Sequence, residues 1–205
     1  MKFGRTEVTP GFFLTVAVLL FLDTENLLLY GLLAALIHEA AHIGAVKACG
    51  GGIAGIRLSA AGAEIVLANT FCTPYLHEAL IYMAGPAANI LTAFTASWAG
   101  GIMTSTELYA FAGLNLTLGL FNLLPAKMLD GGNALRSVCL HFSGRVPAAL
   151  TVAGIVTVLL LLAANLYVIL IYGVNISLLL AAAYLLLSAL TERRPVFRGL
   201  SNDRI

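Results

Sequence analysis

The sequence predicts an all-α polytopic membrane protein, with about six transmembrane helices and a short β-hairpin between the second and the third. Three observations predict it. The composition is 60% hydrophobic and only 10% charged, with a mean hydropathy of +0.95. A soluble domain is about half apolar and a quarter charged. The apolar residues are gathered into runs, most of them near the roughly 20 residues that cross a bilayer as a helix. The basic residues fall into alternate gaps between those runs, as spans threaded back and forth require.

The first run, about Pro10 to Leu22, is short for a full span, and Asp23-Thr24-Glu25-Asn26 makes the turn after it. The second runs from Leu27 to about Val46. Gly50-Gly51-Gly52 stops it. Ile53 to Ser59 and Ala63 to Ala68 then read as two short strands joined by the turn Ala60-Ala61-Gly62. The third span is about Ala79 to Ala99, broken by Gly85-Pro86, and the fourth about Leu108 to Leu124. Pro125 to Gly132 is irregular and leads into a short amphipathic helix near Asn133 to Phe142. Val146 to Leu190 is long enough for two helices, with a break expected at Tyr172-Gly173-Val174-Asn175. Asn165 and Asn175 read as marks of that last turn. The start of the chain has no convincing cleavage site before Asp23, so its first run is expected to be retained.

With six spans, Lys2 and Arg5 precede the first. Lys47 and Arg57 lie between the second and third. Lys127, Arg136 and Arg145 lie between the fourth and fifth, and Arg193, Arg194, Arg198 and Arg204 follow the sixth. These are all 11 basic residues of the chain, and all lie on one side. The opposite loops hold only Asp23, Glu25 and Glu107. The positive-inside rule therefore puts both termini in the cytosol. A net charge of +1 gives no reason to expect nucleic acid as a partner. Cys49, Cys72 and Cys139 lack C-x-x-C spacing, which argues against a disulfide framework or a cysteine zinc site.

Within the second span stands His38-Glu39-Ala40-Ala41-His42. On a helix the two histidines lie about 40° apart around the axis and roughly 6 Å apart along it. Both imidazoles can then reach one metal. Glu39 flanks the same face, where its carboxylate can take a proton from a water held there. H-E-x-x-H also arises by chance, and intramembrane histidines can bond neighbouring helices. Three such polar groups among lipid tails are costly, however, which favours a functional site facing the protein interior. A third ligand is available in Leu129-Asp130-Gly131-Gly132, where the glycines let the backbone approach closely. Asp-Gly is equally ordinary turn chemistry, so these residues alone leave Asp130 open.

Three motifs in order carry a resemblance: His38-Glu39-Ala40-Ala41-His42, Gly85-Pro86-Ala87-Ala88-Asn89, and Asn122-Leu123-Leu124-Pro125 followed by Leu129-Asp130-Gly131. Across roughly Pro10 to Phe142 the chain resembles the site-2 proteases, the intramembrane zinc metalloproteases. The resemblance implies one zinc ion on His38, His42 and Asp130, with Glu39 as general acid and base. Two imidazoles and a carboxylate suit zinc. The implied reaction is hydrolysis of a peptide bond in or next to the transmembrane segment of a membrane-tethered protein. Asn89 and Asn122 are linked in the family to substrate holding or oxyanion stabilisation. Bonding between helices explains such residues equally well.

The compact layout, with no loop able to house a PDZ fold, resembles the sporulation-associated branch. Members of that branch often carry a nucleotide-sensing CBS domain after the last span. Here only fifteen residues follow Leu190, so sensing in cis is not expected, and a sigma-factor precursor as substrate is placed in doubt. The whole chain, residues 1–205, is then one membrane-embedded domain. It has a catalytic core at about 10–142, two further helices at about 146–190 and a tail at 191–205. Its expected partners are a transmembrane or membrane-tethered substrate, a membrane-bound regulatory protein and the lipid bilayer, in a bacterial cell membrane. The family's membrane-associated hairpin corresponds to Ile53–Ala68, whose edge could hold an unwound substrate by backbone pairing. His77, Glu78 and His141 read as interfacial groups, and Glu64 as solvent-facing. Two rivals are a metal or proton transporter and a catalytically silent homologue. The first would line several spans with polar groups, of which the last two runs offer almost none. The second would have lost Glu39 or a ligand.

Overall fold

The computed structural model describes residues 2–3, 6–10, 13, 17, 23, 27–59, 62–67, 74–126 and 129–172. The first apolar run, the break expected at Tyr172 to Asn175, the sixth span and the tail lie largely or wholly outside the described residues. Five described helices carry the architecture: α1 (Leu28–Ala48), α2 (Tyr75–Met103), α3 (Thr106–Asn122), α4 (Asp130–Ser143) and α5 (Ala148–Tyr172). Four strands, β1 (Lys2–Phe3), β2 (Thr6–Val8), β3 (Ile53–Ser59) and β4 (Gly62–Leu67), form one sheet in that order.

The ends of α1 are set by local chemistry. The Asp23 carboxylate accepts the N–H groups of Leu27 at 2.8 Å and Leu28 at 2.9 Å. A negative group there satisfies free donors and favours the helix dipole. At the other end Gly50 takes φ +80°, Gly50 N–H bonds Lys47 C=O and Gly51 N–H bonds Val46 C=O. That paired closure needs a left-handed residue, which glycine supplies without steric cost. The glycine stop expected from sequence is this motif.

The helix α2 is the centre of the fold and packs against α1, α3 and α4. Its 29 residues span about 43 Å, more than the hydrocarbon core of a bilayer. Its buried residues include Ala79, Tyr82, Gly85, Pro86, Asn89, Ala93, Ala96 and Gly100, a stripe at helical spacing made mostly of small groups. Small residues matter because lipid tails are as apolar as leucine, so helices associate through close packing. The expected break at Gly85-Pro86 does not occur: the helix runs through Pro86. Proline costs one backbone hydrogen bond, and packing on three sides holds the helix against that loss.

A two-residue turn, Thr104 and Ser105, reverses the chain into α3, where the Ser105 hydroxyl accepts the Leu108 N–H. Gly119 then sits so close to α2 that a Cβ on it would lie 3.0 Å from Ile90 Cγ1 and 3.1 Å from the Pro86 carbonyl oxygen. The amphipathic helix α4 begins at Asp130, three residues earlier than expected, and ends at Gly144 with φ +63°. The helix α5 continues to Tyr172, so Asn165 stands inside a helix and marks no turn. Three described helices, α1, α2 and α5, are long and apolar enough to cross a membrane.

The strands β3 and β4 pair antiparallel from Ile53↔Leu67 to Ser59↔Gly62, with a register shift between Ile53 and Gly55. Strands β1 and β2 are not expected from the residues alone. They pair antiparallel with each other, and β2 adds parallel to β3 at Thr6↔Ile56 through Val8↔Leu58. Strands of two and three residues are too short to show a period.

Candidate active site

The site is built where α1, α2 and the start of α4 meet. His38 and His42, one turn apart on α1, are 6% and 4% exposed. Below them Val46 packs on Ile81, Tyr82 and Ala134, fixing α1 against α2 and α4. Their Nε2 atoms are 3.1 Å apart. The Asp130 Oδ2 lies 2.9 Å from Nε2 of His38 and 3.2 Å from Nε2 of His42. Three ligand atoms thus converge on one point. Ligands about 2.0–2.1 Å from a tetrahedral zinc stand about 3.3 Å from one another, close to these separations.

The outward face of each imidazole decides what the inward face offers. His38 Nδ1 donates to Asn89 Oδ1, and His42 Nδ1 donates to the Ile81 carbonyl. Neither oxygen can donate, so the ring proton of each histidine must sit on Nδ1. In a neutral ring Nε2 then carries a lone pair. Two imidazole lone pairs and a carboxylate oxygen facing one another are mutually unfavourable until a cation stands between them. Among the described residues this is the one group of histidine, cysteine or acidic side chains placed to hold a metal. The donor set fits zinc.

Two close approaches make room. A Cβ on Gly85 would lie 2.4 Å from His42 Nε2 and 2.7 Å from His38 Nε2, so only glycine lets α2 pass this close to the inward-facing nitrogens. At the other side the chain turns at Pro125 and feeds Asp130 into the first turn of α4. A Cβ on Gly131 would meet the Leu123 carbonyl oxygen at 2.1 Å, and one on Gly132 would meet that of Ala126, also at 2.1 Å. The close approach expected from the glycine pair is this contact. It packs the start of α4 against the end of α3 and holds the carboxylate over the histidines.

Glu39 is half-buried on α1 and within electrostatic reach of His38, His42 and Asp130. Asn89 is fully buried, and both of its N–H groups are taken, by Ala34 C=O at 3.0 Å and Asn115 Oδ1 at 2.8 Å. It has no donor left for an oxyanion. Asn122, at the end of α3, is half-buried and donates to Leu118 C=O on its own helix. Residues His77 and His141 are exposed, whereas Glu78 is 7% exposed, so it is not the interfacial group expected. It faces Ser137 and Arg136 of α4. Glu64 lies on β4, and its side chain is outside the described set.

Sequence reasoning missed Asn115. The only available signal was an asparagine in the middle of an apolar run, a costly placement that asks for a partner.

Residues 102–166 match Peptidase family M50, and that stretch contains Asn122, Pro125 and Asp130. No curated protein matches the chain. The solved structure of a site-2 protease from Methanocaldococcus jannaschii is similar, with a TM-score of 0.62 and 23% sequence identity. The likeness covers 96% of this chain and 97% of that one. At that identity the likeness speaks for the fold, and the chain has the fold of a site-2 protease with a peptidase-family match from the end of α2 through most of α5.

Proposed function

We propose that the chain is an intramembrane zinc metalloprotease of the M50 type, cutting a membrane-tethered protein in or next to its transmembrane segment. The observation that carries the reading is the pair of buried imidazoles whose Nδ1 protons are committed outward, so that both Nε2 atoms face Asp130. The family match over Asp130 and the site-2 protease fold support it. His38, His42 and Asp130 would hold the zinc. Zinc when bound supplies Lewis acidity toward the scissile carbonyl and makes water easier to deprotonate.

The remaining work belongs to the chain. Glu39 accepts a proton from the attacking water on its carboxylate and returns it to the departing amine nitrogen. Its half-buried position lets it meet water on one side and the ligand group on the other. A helical substrate hides its peptide bonds, so it must be extended before it is cut. In the sheet the β3 edge is taken by β2, which leaves β4 as an outer strand for an extended segment to pair with. We place the sheet, both termini and the α1 end near Lys47 in the cytosol, on the one-sided placement of the basic residues.

The direct test is Glu39→Gln. The amide keeps the size of the side chain but cannot accept the proton. Purified protein should keep about one zinc per chain and lose cleavage of a membrane-tethered reporter by roughly 10²–10⁴-fold. Undiminished turnover would refute the assigned mechanism.

A further inference from the structure

Behind His38 stands a file of amides that no substrate can reach. Asn89 on α2 and Asn115 on α3 are both 0% exposed. The file has a direction. Asn115 Nδ2 donates to the Phe111 carbonyl at 2.9 Å, on its own helix. That bond turns Asn115 Oδ1 toward α2, where it accepts Asn89 Nδ2 at 2.8 Å. The second N–H of Asn89 goes to the Ala34 carbonyl on α1. With its nitrogen end held by two acceptors, Asn89 presents its oxygen to His38 Nδ1. Each amide can face one way only without leaving a buried donor unpaired.

We propose that Asn115 is a positioning residue that sets the tautomer of His38 through Asn89. A fixed backbone carbonyl on α3 is thereby read out, two side chains later, as a lone pair on a nitrogen of α1. This deepens the zinc-protease reading and rests on it only for the identity of what Nε2 holds. Orienting partners of a metal-bound histidine typically change metal affinity by about 10–100-fold. The usual partner is one carboxylate or carbonyl. Here it is an amide, which could turn over, and Asn115 joins the Ala34 carbonyl in fixing it. His42 needs no such device, because its Nδ1 meets the Ile81 backbone carbonyl, which cannot turn.

The test uses Asn115→Leu, which keeps the branched heavy-atom shape in a bulkier side chain but offers no acceptor, and Asn115→Asp. A buried, neutral carboxyl can replace the amide group for group: its carbonyl accepts from Asn89 and its O–H donates to Phe111. Asn115→Ala is run in parallel, since Asn115→Leu can fail to fold. Two readouts are taken on full-length protein in detergent: ring ¹⁵N shifts of metal-free, ¹⁵N-histidine-labelled protein above pH 8, and zinc affinity by competition with a chelator. In the wild type His38 should show the Nδ1–H tautomer. Asn115→Leu or Asn115→Ala should give a mixture of tautomers and weaken zinc by about 10–100-fold. Asn115→Asp should restore both. Unchanged tautomer and affinity in the Leu and Ala variants would overturn the proposal. So would weaker zinc with an unchanged tautomer, because that is loss of packing alone. If the tautomer responds as stated but the wild type binds no zinc, the proposal stands and the protease reading falls.

Discussion

At the scale of single residues, the site is held open by what Gly85 lacks. Any side chain there must push one imidazole away, since its Cβ would sit 2.4 Å from His42 Nε2. Gly85→Ala should therefore lower metal affinity by on the order of a hundredfold, at least the upper end of what an orienting partner contributes. Cleavage should fall with it, while helicity by circular dichroism stays near the wild type. Metal content after mild dialysis against a chelator checks this, and full occupancy would show that the helices yield instead. The histidine pair was legible because a spacing of four is one helical turn and needs no tertiary knowledge. Asn115 and Glu78 were not. Both are buried by other helices, and a mid-span asparagine shows that it needs a partner without showing which one.

At the scale of elements, α4 is where sequence and structure differ most usefully. Asp-Gly-Gly reads as a turn, yet these residues form the first turn of a helix. Both glycines are buried against the backbone at Leu123 and Ala126, so packing overrides their poor helix propensity. The carboxylate gains from this placement, because the start of a helix favours negative charge. The other acidic residues fit the site less well: Asp23 caps α1 at its far end, and Glu107 is exposed at the start of α3. Asp130→Ala should reduce both zinc affinity and activity, whereas Glu39→Gln reduces activity alone. If Asp130→Ala kept full zinc under mild chelation with ordinary turnover, the third ligand would have to be sought elsewhere. The uninterrupted α2 teaches the same lesson in reverse. Gly85-Pro86 carries a strong break signal, but three packed neighbours keep the helix whole through it.

At the scale of the molecule, the sheet ties the orientation together. The strand β2 precedes the first apolar run and β3 follows α1, yet they are hydrogen-bonded neighbours. On the proposed membrane reading, segments paired in one sheet would lie on one side of the bilayer, so the chain before the first run and the chain after α1 would share a compartment. The expectation drawn from charge is the same, since Lys2, Arg5, Lys47 and Arg57 belong to those two segments. The parallel pairing could not be read from the sequence, because its partners are about fifty residues apart and the shorter strand has three residues. Both arguments forecast one outcome for single cysteines placed at opposite ends of the bundle. With Cys49, Cys72 and Cys139 replaced, Lys47→Cys stands exposed at the end of α1 and Glu107→Cys stands exposed at the start of α3. In intact cells an impermeant maleimide should label Glu107→Cys and spare Lys47→Cys until the membrane is opened. The reverse pattern would put the zinc within reach of the outer face, because His38 lies only about 14 Å along the helix from Lys47. Labelling at both positions from outside would mean that α1 and α2 do not cross, and the reading of α1 as the span that carries the site would fail with it.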